Sequence, residues 1–367
     1  MHKNQGPVYY GDYLHLNQFL DQQKPLSKKF GDECHDEMLF IVVHQSYELW
    51  FKQILHELKA VLKVWQKEFI PEPENFAVSQ KLERVIRIQG LFVAHLEILE
   101  TMSPMDFLEF RELLIPASGF QSVQFREIEI RMGLGTSSRE GVDRNYFMGR
   151  LNAADRAHLT AVEDEPSLLK LLEKWLERLP FTKHQQFDFW QAYQKAVQEM
   201  LSNDQKWVEK NPASLSDLEK KVQIESSRLT AETFQSLFDE TKYKATQDSQ
   251  LRRLSQKATL NALFILLYRH EPMLSYPYQI LNALLTIDEN FTNWRFRHSL
   301  MAQRMLGTKI GTGGSSGHQY LRKAADTNRV FVDLFNLSTF LIPRSQLPEL
   351  PEDLKKHLHF QGAFDQG

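Results

Sequence analysis

The residues of this chain that could do chemistry are two histidines, an arginine and a hydroxyl-bearing glycine-rich loop. His298 stands in FTNWRFRHSLMAQRML (291–306), where Leu284, Ile287, Phe291, Trp294, His298, Met301 and Met305 step by 3, 4, 3, 4, 3 and 4. That is the spacing of one helix face, so an imidazole interrupts an apolar stripe. His44 repeats the arrangement: Phe40, His44, Tyr47 and Phe51 step by 4, 3 and 4, and Leu55 and Leu58 continue the face. A histidine so placed is commonly a satisfied core residue, but it is also the side chain that ligates metals and handles protons near neutral pH. Arg111 lies in MDFLEFRELL (105–114) between apolar neighbours. It is either a surface arginine or an inward guanidinium that requires a carboxylate, because an unpaired buried charge is very costly. The loop Gly307–Gly317 carries Thr308, Thr312, Ser315 and Ser316. It is either a helix C-cap and connector or a lid closing over a ligand.

Several chemistries are excluded by what is missing. The loop lacks G-x-x-x-x-G-K-[ST] and follows a helix, where phosphate-binding loops and dinucleotide fingerprints follow a strand. There is no H-E-x-x-H for zinc and no G-x-S-x-G nucleophile elbow. Cys34 is the single cysteine, so neither an internal disulfide nor a cysteine-based zinc or iron–sulfur site can form. Two helix-borne histidines in apolar faces do fit haem, a flat apolar disc held in a slot by one axial histidine. Covalent c-type attachment is ruled out by the absence of C-x-x-C-H. On spacing alone, haem and cofactor-free core histidines both remain open.

The elements that must position these residues are helices. The spacing predicts a long helix over 35–68 and others over 78–101, from Pro104 to before Pro116, and over 120–131 closed by Gly133. Ser103-Pro104 reads as N-cap and first helical residue. Residues 134–160 read as mixed and loop-like. Helices follow over 167–178, 187–210, 251–268 and 278–306 after a break at Pro272 and Pro277, with shorter ones over 318–325 and 329–337. Ser216–Tyr243 is polar with sparse apolar positions, a peripheral helical pair. Period-2 alternation is nearly absent. The expectation is an all-α protein: one large helical-bundle domain (34–179 and 248–345), an N-terminal segment (1–33), a peripheral helical insertion (180–247) and a polar C-terminal tail (346–367).

At 367 residues the chain can bury a large core. A net charge of −3 offers no basic field for nucleic acid or an anionic membrane. No run approaches the length of a membrane span. The N-terminus MHKNQGPVYYGDYLHL has no apolar leader core. With one cysteine, a reducing, cytoplasmic setting is expected.

The motifs HQSYELWFKQILHEL (44–58), FRELLIPASGFQSVQFR (110–126) and RMLGTKIGTGGSSGHQYL (304–321) closely resemble the tryptophan 2,3-dioxygenase family. YYGDYLHL (9–16) and VFVDLFNLSTFLIPR (330–344) are similar to it too, and the resemblance covers residues 8–345. It implies an all-α haem b enzyme, a homotetramer, which inserts both atoms of O2 across the indole C2–C3 bond of L-tryptophan to give N-formylkynurenine. By matching motifs, His298 resembles the axial iron ligand and His44 the histidine contacting the indole N–H. Phe40 resembles a pocket wall, Arg111 the arginine gripping the substrate carboxylate and Thr312 the loop hydroxyl at its amino-acid end. Ser118 matches a serine near the haem edge. Tyr10, Tyr13 and Leu14 match residues that one subunit donates to its neighbour's site. One departure is Phe107, where some bacterial members carry a tyrosine. The rival readings are a related haem enzyme that hydroxylates or monooxygenates an aromatic amino acid or indole, a haem-based sensor, and a haem-free scaffold. Retention of His44, Phe40, Arg111 and Thr312 together disfavours the first, and a substrate clamp has no purpose in the second.

Overall fold

The computed structural model describes residues 6–134, 148–210, 216–307, 309 and 317–359. In chain order its helices are α1 (Tyr10–Tyr13), α2 (Leu16–Phe19), α3 (Leu26–Phe30), α4 (His35–Trp65), α5 (Glu72–Leu99), α6 (Pro104–Arg111), α7 (Val123–Met132), α8 (Ala153–Glu163) and α9 (Leu168–Glu177). Then come α10 (Phe189–Lys210), α11 (Asp217–Phe238), α12 (Glu240–Asp248), α13 (Gln256–Leu267), α14 (Ser275–Leu306), α15 (Gly317–Thr327), α16 (Val332–Asn336) and α17 (Glu352–Leu358). A two-residue hairpin, β1 (Lys183–His184) with β2 (Phe187–Asp188), is the one extended pair among the described residues. The chain is predominantly helical, as the periodicity requires, and no described helix is long and apolar enough to cross a membrane.

The two histidine-bearing helices, α4 and α14, both pack on α5. Asp36 and Glu37 open α4, where acidic groups meet the positive end of the helix dipole. Glu37 is buried, and its carboxylate accepts the amides of Leu26 at 2.7 Å and Ser27 at 2.9 Å, closing the open start of α3. On α14 the predicted stripe is buried at Leu284, Ile287, Phe291, Trp294 and Met301. Pro277 falls in its first turn and does not break it, since a proline there lacks an amide that has no helical partner anyway. α5 runs parallel beside it. Gln89 Nε2 donates to the Ile287 carbonyl at 3.0 Å, and further along Arg297 pairs with Glu100 at 3.3 Å. Ser103 caps α6 as the sequence predicts, and Asp106 returns the bond, at 3.2 and 3.1 Å.

Sequence periodicity does not show how α7 is held. Its Arg126, Glu127, Glu129 and Arg131 are all buried, and each is paired. Glu127 accepts from Lys59 at 2.8 Å, Arg131 at 2.7 Å and His158 at 2.8 Å. Glu129 accepts from Arg126 at 2.7 Å and from Arg295, on α14, at 2.8 Å. Burial alone would raise the Glu127 pKa. The three donors outweigh that desolvation and hold it at about 2. Its stabilisation is therefore complete above the ordinary carboxylate pKa near 4.5 and disappears as pH falls through about 2. Between those values the unfolded chain binds a proton that the folded one refuses. We expect Glu127→Gln to be less stable than wild type near neutral pH by on the order of 3 kcal/mol, with the gap closing toward pH 2. Thermal melts across an acid pH series check this, and a gap independent of pH would refute it.

Gly133 ends α7 at φ +114°, and a Cβ there would lie 2.8 Å from the Leu169 Cβ. Gly133→Ala combines left-handed backbone strain with a core clash, so a loss of about 2–4 kcal/mol is expected. It should read as a lower urea midpoint at unchanged slope. A loss under ~1 kcal/mol would mean that the α7–α9 junction yields freely.

Three segments differ from the sequence reading. α8 occupies part of the stretch expected to be loop-like. It is capped by Asn152, which accepts the Asp155 amide at 2.9 Å, but buries only Leu159 and Val162, too thin a stripe to read as periodic. The tail expected to be peripheral contains α17, whose Leu354 and Leu358 are buried in the main core with Leu350. Helices α10 to α12 reach the same core through Phe189, Tyr193, Phe234, Leu237 and Tyr243. A groove of about 340 Å³ between α10 and α11, lined by Val197, Leu201 and Phe234 among others, is far in sequence from both histidines.

Candidate active site

α4 carries Phe40 and His44 on successive turns. Their rings lie 4.1 Å apart, and Phe40 stacks on Phe107 at 5.8 Å and meets Phe110 edge-on at 5.6 Å. Phe107 and Phe110 belong to α6, so this aromatic wall joins α4 to α6 and sets the end of α6, Arg111, beside it. Arg111 is half-buried. Phe107 is apolar and cannot offer the hydroxyl that a tyrosine would place in the wall.

The hydrogen bond of His44 fixes its chemistry. Nδ1 lies 2.7 Å from the Phe40 carbonyl. A carbonyl only accepts, so Nδ1 carries the proton and Nε2 presents a lone pair. Desolvation lowers the His44 pKa, and the Phe40 carbonyl and the Glu48 carboxylate only partly offset it. The side chain is nevertheless open at its surface. The ring is thus desolvated by the groups around it while part of it stays accessible.

His298, on α14, lies close enough to His44 for the two rings to interact electrostatically. Burial, and then the charge of His44, hold its pKa at about 4. The imidazole is thus neutral at physiological pH, the form that binds a metal. Trp294, one turn earlier, packs on it with ring centres 5.7 Å apart. Among the described residues no group of three or more His, Cys, Asp or Glu side chains could hold a metal ion. One neutral imidazole in an aromatic slot therefore suits a metal that brings its remaining ligands with it, as porphyrin iron does. The residues fit haem.

Ser118 caps the short turn Gly119–Gln121, accepting the Phe120 amide at 3.4 Å, while its own amide donates to Gln121 Oε1 at 3.1 Å. This turn is fastened to α4 one turn beyond His44: Ser122 Oγ donates to Glu48 at 2.6 Å, and Gln124 Nε2 reaches the same carboxylate at 2.8 Å. Sequence reasoning missed Glu48, Ser122 and Gln124, because a pairing across more than seventy residues leaves no local pattern. Tyr10, Tyr13 and Leu14 stand exposed at the N-terminus, with no hydrogen bond or ring contact to His44 or His298. Thr312, with Thr308, Ser315 and Ser316, lies outside the described residues.

Comparison with known proteins bears directly on this geometry. Residues 1–341 match the family described as tryptophan 2,3-dioxygenase. The chain is 49% identical to a tryptophan 2,3-dioxygenase of Alteromonas mediterranea over 360 residues, 98% of this chain and 99% of that one. It is 47% identical to one of Bdellovibrio bacteriovorus, covering 96% of this chain and 98% of that one, and 45% identical to one of Dictyostelium discoideum, covering 96% and 88%. With two histidines of lowered pKa set near each other among aromatic side chains, and with that likeness running through nearly its whole length, the chain belongs to the tryptophan 2,3-dioxygenase family of haem-dependent enzymes.

Proposed function

We propose that this protein cleaves the indole C2–C3 bond of L-tryptophan with O2 to give N-formylkynurenine. The observation that supports the reading is the pair of desolvated imidazoles near each other, His44 on α4 with its Nε2 lone pair available and His298 on α14 held neutral by burial. Haem held by His298 would supply the activation of O2. His44 Nε2 accepts the indole N–H and orients the ring. Phe40 walls the indole, and Arg111 pairs with the substrate carboxylate as a planar fork. Ser118 lies at the cofactor edge and Thr312 at the amino-acid end of the substrate.

The atom balance supports a positioning role for His44. Both oxygen atoms end in the product, one as the ketone and one as the formyl carbonyl. The indole N–H proton ends on the formamide nitrogen. No net proton leaves the substrate, so a strong base is not required, and the lowered pKa of His44 suits an acceptor.

The homotetramer belongs to the same proposal. Tyr10 and Tyr13 are 71% and 73% exposed on the isolated chain, beside exposed Tyr9, Leu14 and Leu20. A contiguous apolar surface of that kind marks an interaction site, and donation of Tyr10, Tyr13 and Leu14 to a neighbour's slot would cover it.

The test is direct. Reduced, haem-loaded protein given L-tryptophan and O2 should produce the absorbance of formylkynurenine, and a coloured protein with no product would overturn the proposal. Arg111→Ala should lower kcat/KM by about 30- to 1,000-fold, the equivalent of 2–4 kcal/mol for a carboxylate left without its partner, while haem uptake is unchanged. An unchanged KM would take Arg111 out of substrate binding.

A further inference from the structure

We infer that Tyr47 and Trp294 are positioning residues that set the gap between His44 and His298 and hold the His298 ring in its orientation. This rests on the functional reading above and adds residues to it. A histidine that ligates a metal almost always donates its second ring nitrogen to a carboxylate, carbonyl or water, which fixes the ring. No carboxylate or carbonyl among the described residues takes up a ring nitrogen of His298. The aromatic contact that bears on the ring there is Trp294, at 5.7 Å.

Trp294 is itself locked. Its Nε1 donates to the Tyr47 hydroxyl at 3.3 Å, and that hydroxyl donates to the Phe92 carbonyl at 2.5 Å. Phe92, Phe125 and Tyr47 pack on the indole with ring centres 5.2–5.8 Å apart. Tyr47 is buried and is met edge-on by His95 at 5.2 Å. Helices α4, α5 and α14 thus meet at one hydroxyl group.

The register gives this hydroxyl a role beyond packing. Tyr47 is three residues beyond His44, and Trp294 is four residues before His298. Each therefore sits one turn from an imidazole on the same helix face. The Trp294–Tyr47 hydrogen bond is a strut at the base of the slot, tying together the two turns whose separation is the width available to a cofactor and substrate. Tyr47→Phe removes the strut and keeps the ring, so it changes the tie with little change in core volume.

The experiment uses the full chain reconstituted with haem. The readouts are the iron–histidine stretching band of the reduced protein and the rate of haem transfer to apomyoglobin. Tyr47→Phe should split or broaden the band and speed haem release by ~5- to 10-fold, the scale of one buried hydrogen bond. Trp294→Phe should do the same. The double variant should go little further than Trp294→Phe alone, because both changes delete one interaction. Should Trp294→Phe not fold, Tyr47→Phe carries the test by itself. A wild-type band and release rate in Tyr47→Phe, with only a lowered melting temperature, would reduce the pair to core packing and overturn the inference. Wild-type protein that takes up no haem would overturn the functional reading itself and this inference with it.

Discussion

His298→Ala yields a folded chain that gains almost no Soret absorbance on haem titration and has no measurable turnover of L-tryptophan. The fold survives because His298 is only partly buried and makes no hydrogen bond among the described residues, while Phe291, Trp294 and Met301 keep α14 in the core. Alanine is the best helix former, so unfolding free energy should change by no more than about 1–2 kcal/mol. Haem capture is a different matter. Among the described residues no cluster of other ligands stands ready to replace the imidazole, and His44 holds its Nδ1 proton against the Phe40 carbonyl on the opposite side of the slot. Imidazole added to the variant should enter the vacated space and restore part of the Soret band. An unaltered spectrum in His298→Ala would show that His298 is not the residue that would hold the haem.

Glu129→Ala should destabilise the chain by about 3–5 kcal/mol, the cost of breaking a buried ion pair by removing one partner. Arg126 and Arg295 share this carboxylate, and all three side chains are at most 7% exposed. Arg295 also donates to the Asn328 carbonyl at 2.9 Å, so the loss reaches the turn before α16. Because Arg295 lies three residues before His298, haem affinity should fall alongside stability. Urea unfolding of the apo protein gives the first quantity and haem transfer the second. A loss below ~1 kcal/mol would show that the two guanidinium groups find other acceptors at little expense.

These two residues mark the boundary of what could be read from sequence. His298 and His44 were legible because an imidazole in a stripe of Leu, Ile, Phe and Met breaks a periodic pattern. The same periodicity gave α4 and α14 nearly to their ends and α5 six residues short at its start, and the ring contacts of Phe40 with His44 follow from i, i+4 spacing. Glu129 was illegible for the opposite reason. The run FREIEIR (125–131) has the charge density of a solvated face, and only its partners Lys59, His158 and Arg295, brought from elsewhere, make its burial affordable. Leu354 and Leu358 were passed over because a seven-residue helix with two lysines between its leucines carries too little signal. Arg111 could be recognised from its surrounding motif. Its apolar neighbours alone left it undecided.

The register of α5 against α14 has a consequence for how the protein is made. Gln89 bonds to the carbonyl of Ile287, and Tyr47 to Trp294, across some two hundred residues or more. Such contacts close late, since loop entropy must be overcome before they add stability. During synthesis α4 and α5 leave the ribosome long before α14, and their facing apolar stripes wait without a partner. A chain arrested before α14 would present an open aromatic surface built around Phe51 and Phe92, a target for chaperones or for aggregation. His44 and His298 cannot come together on a nascent chain until α14 has emerged, so any site that needs both is absent from shorter chains.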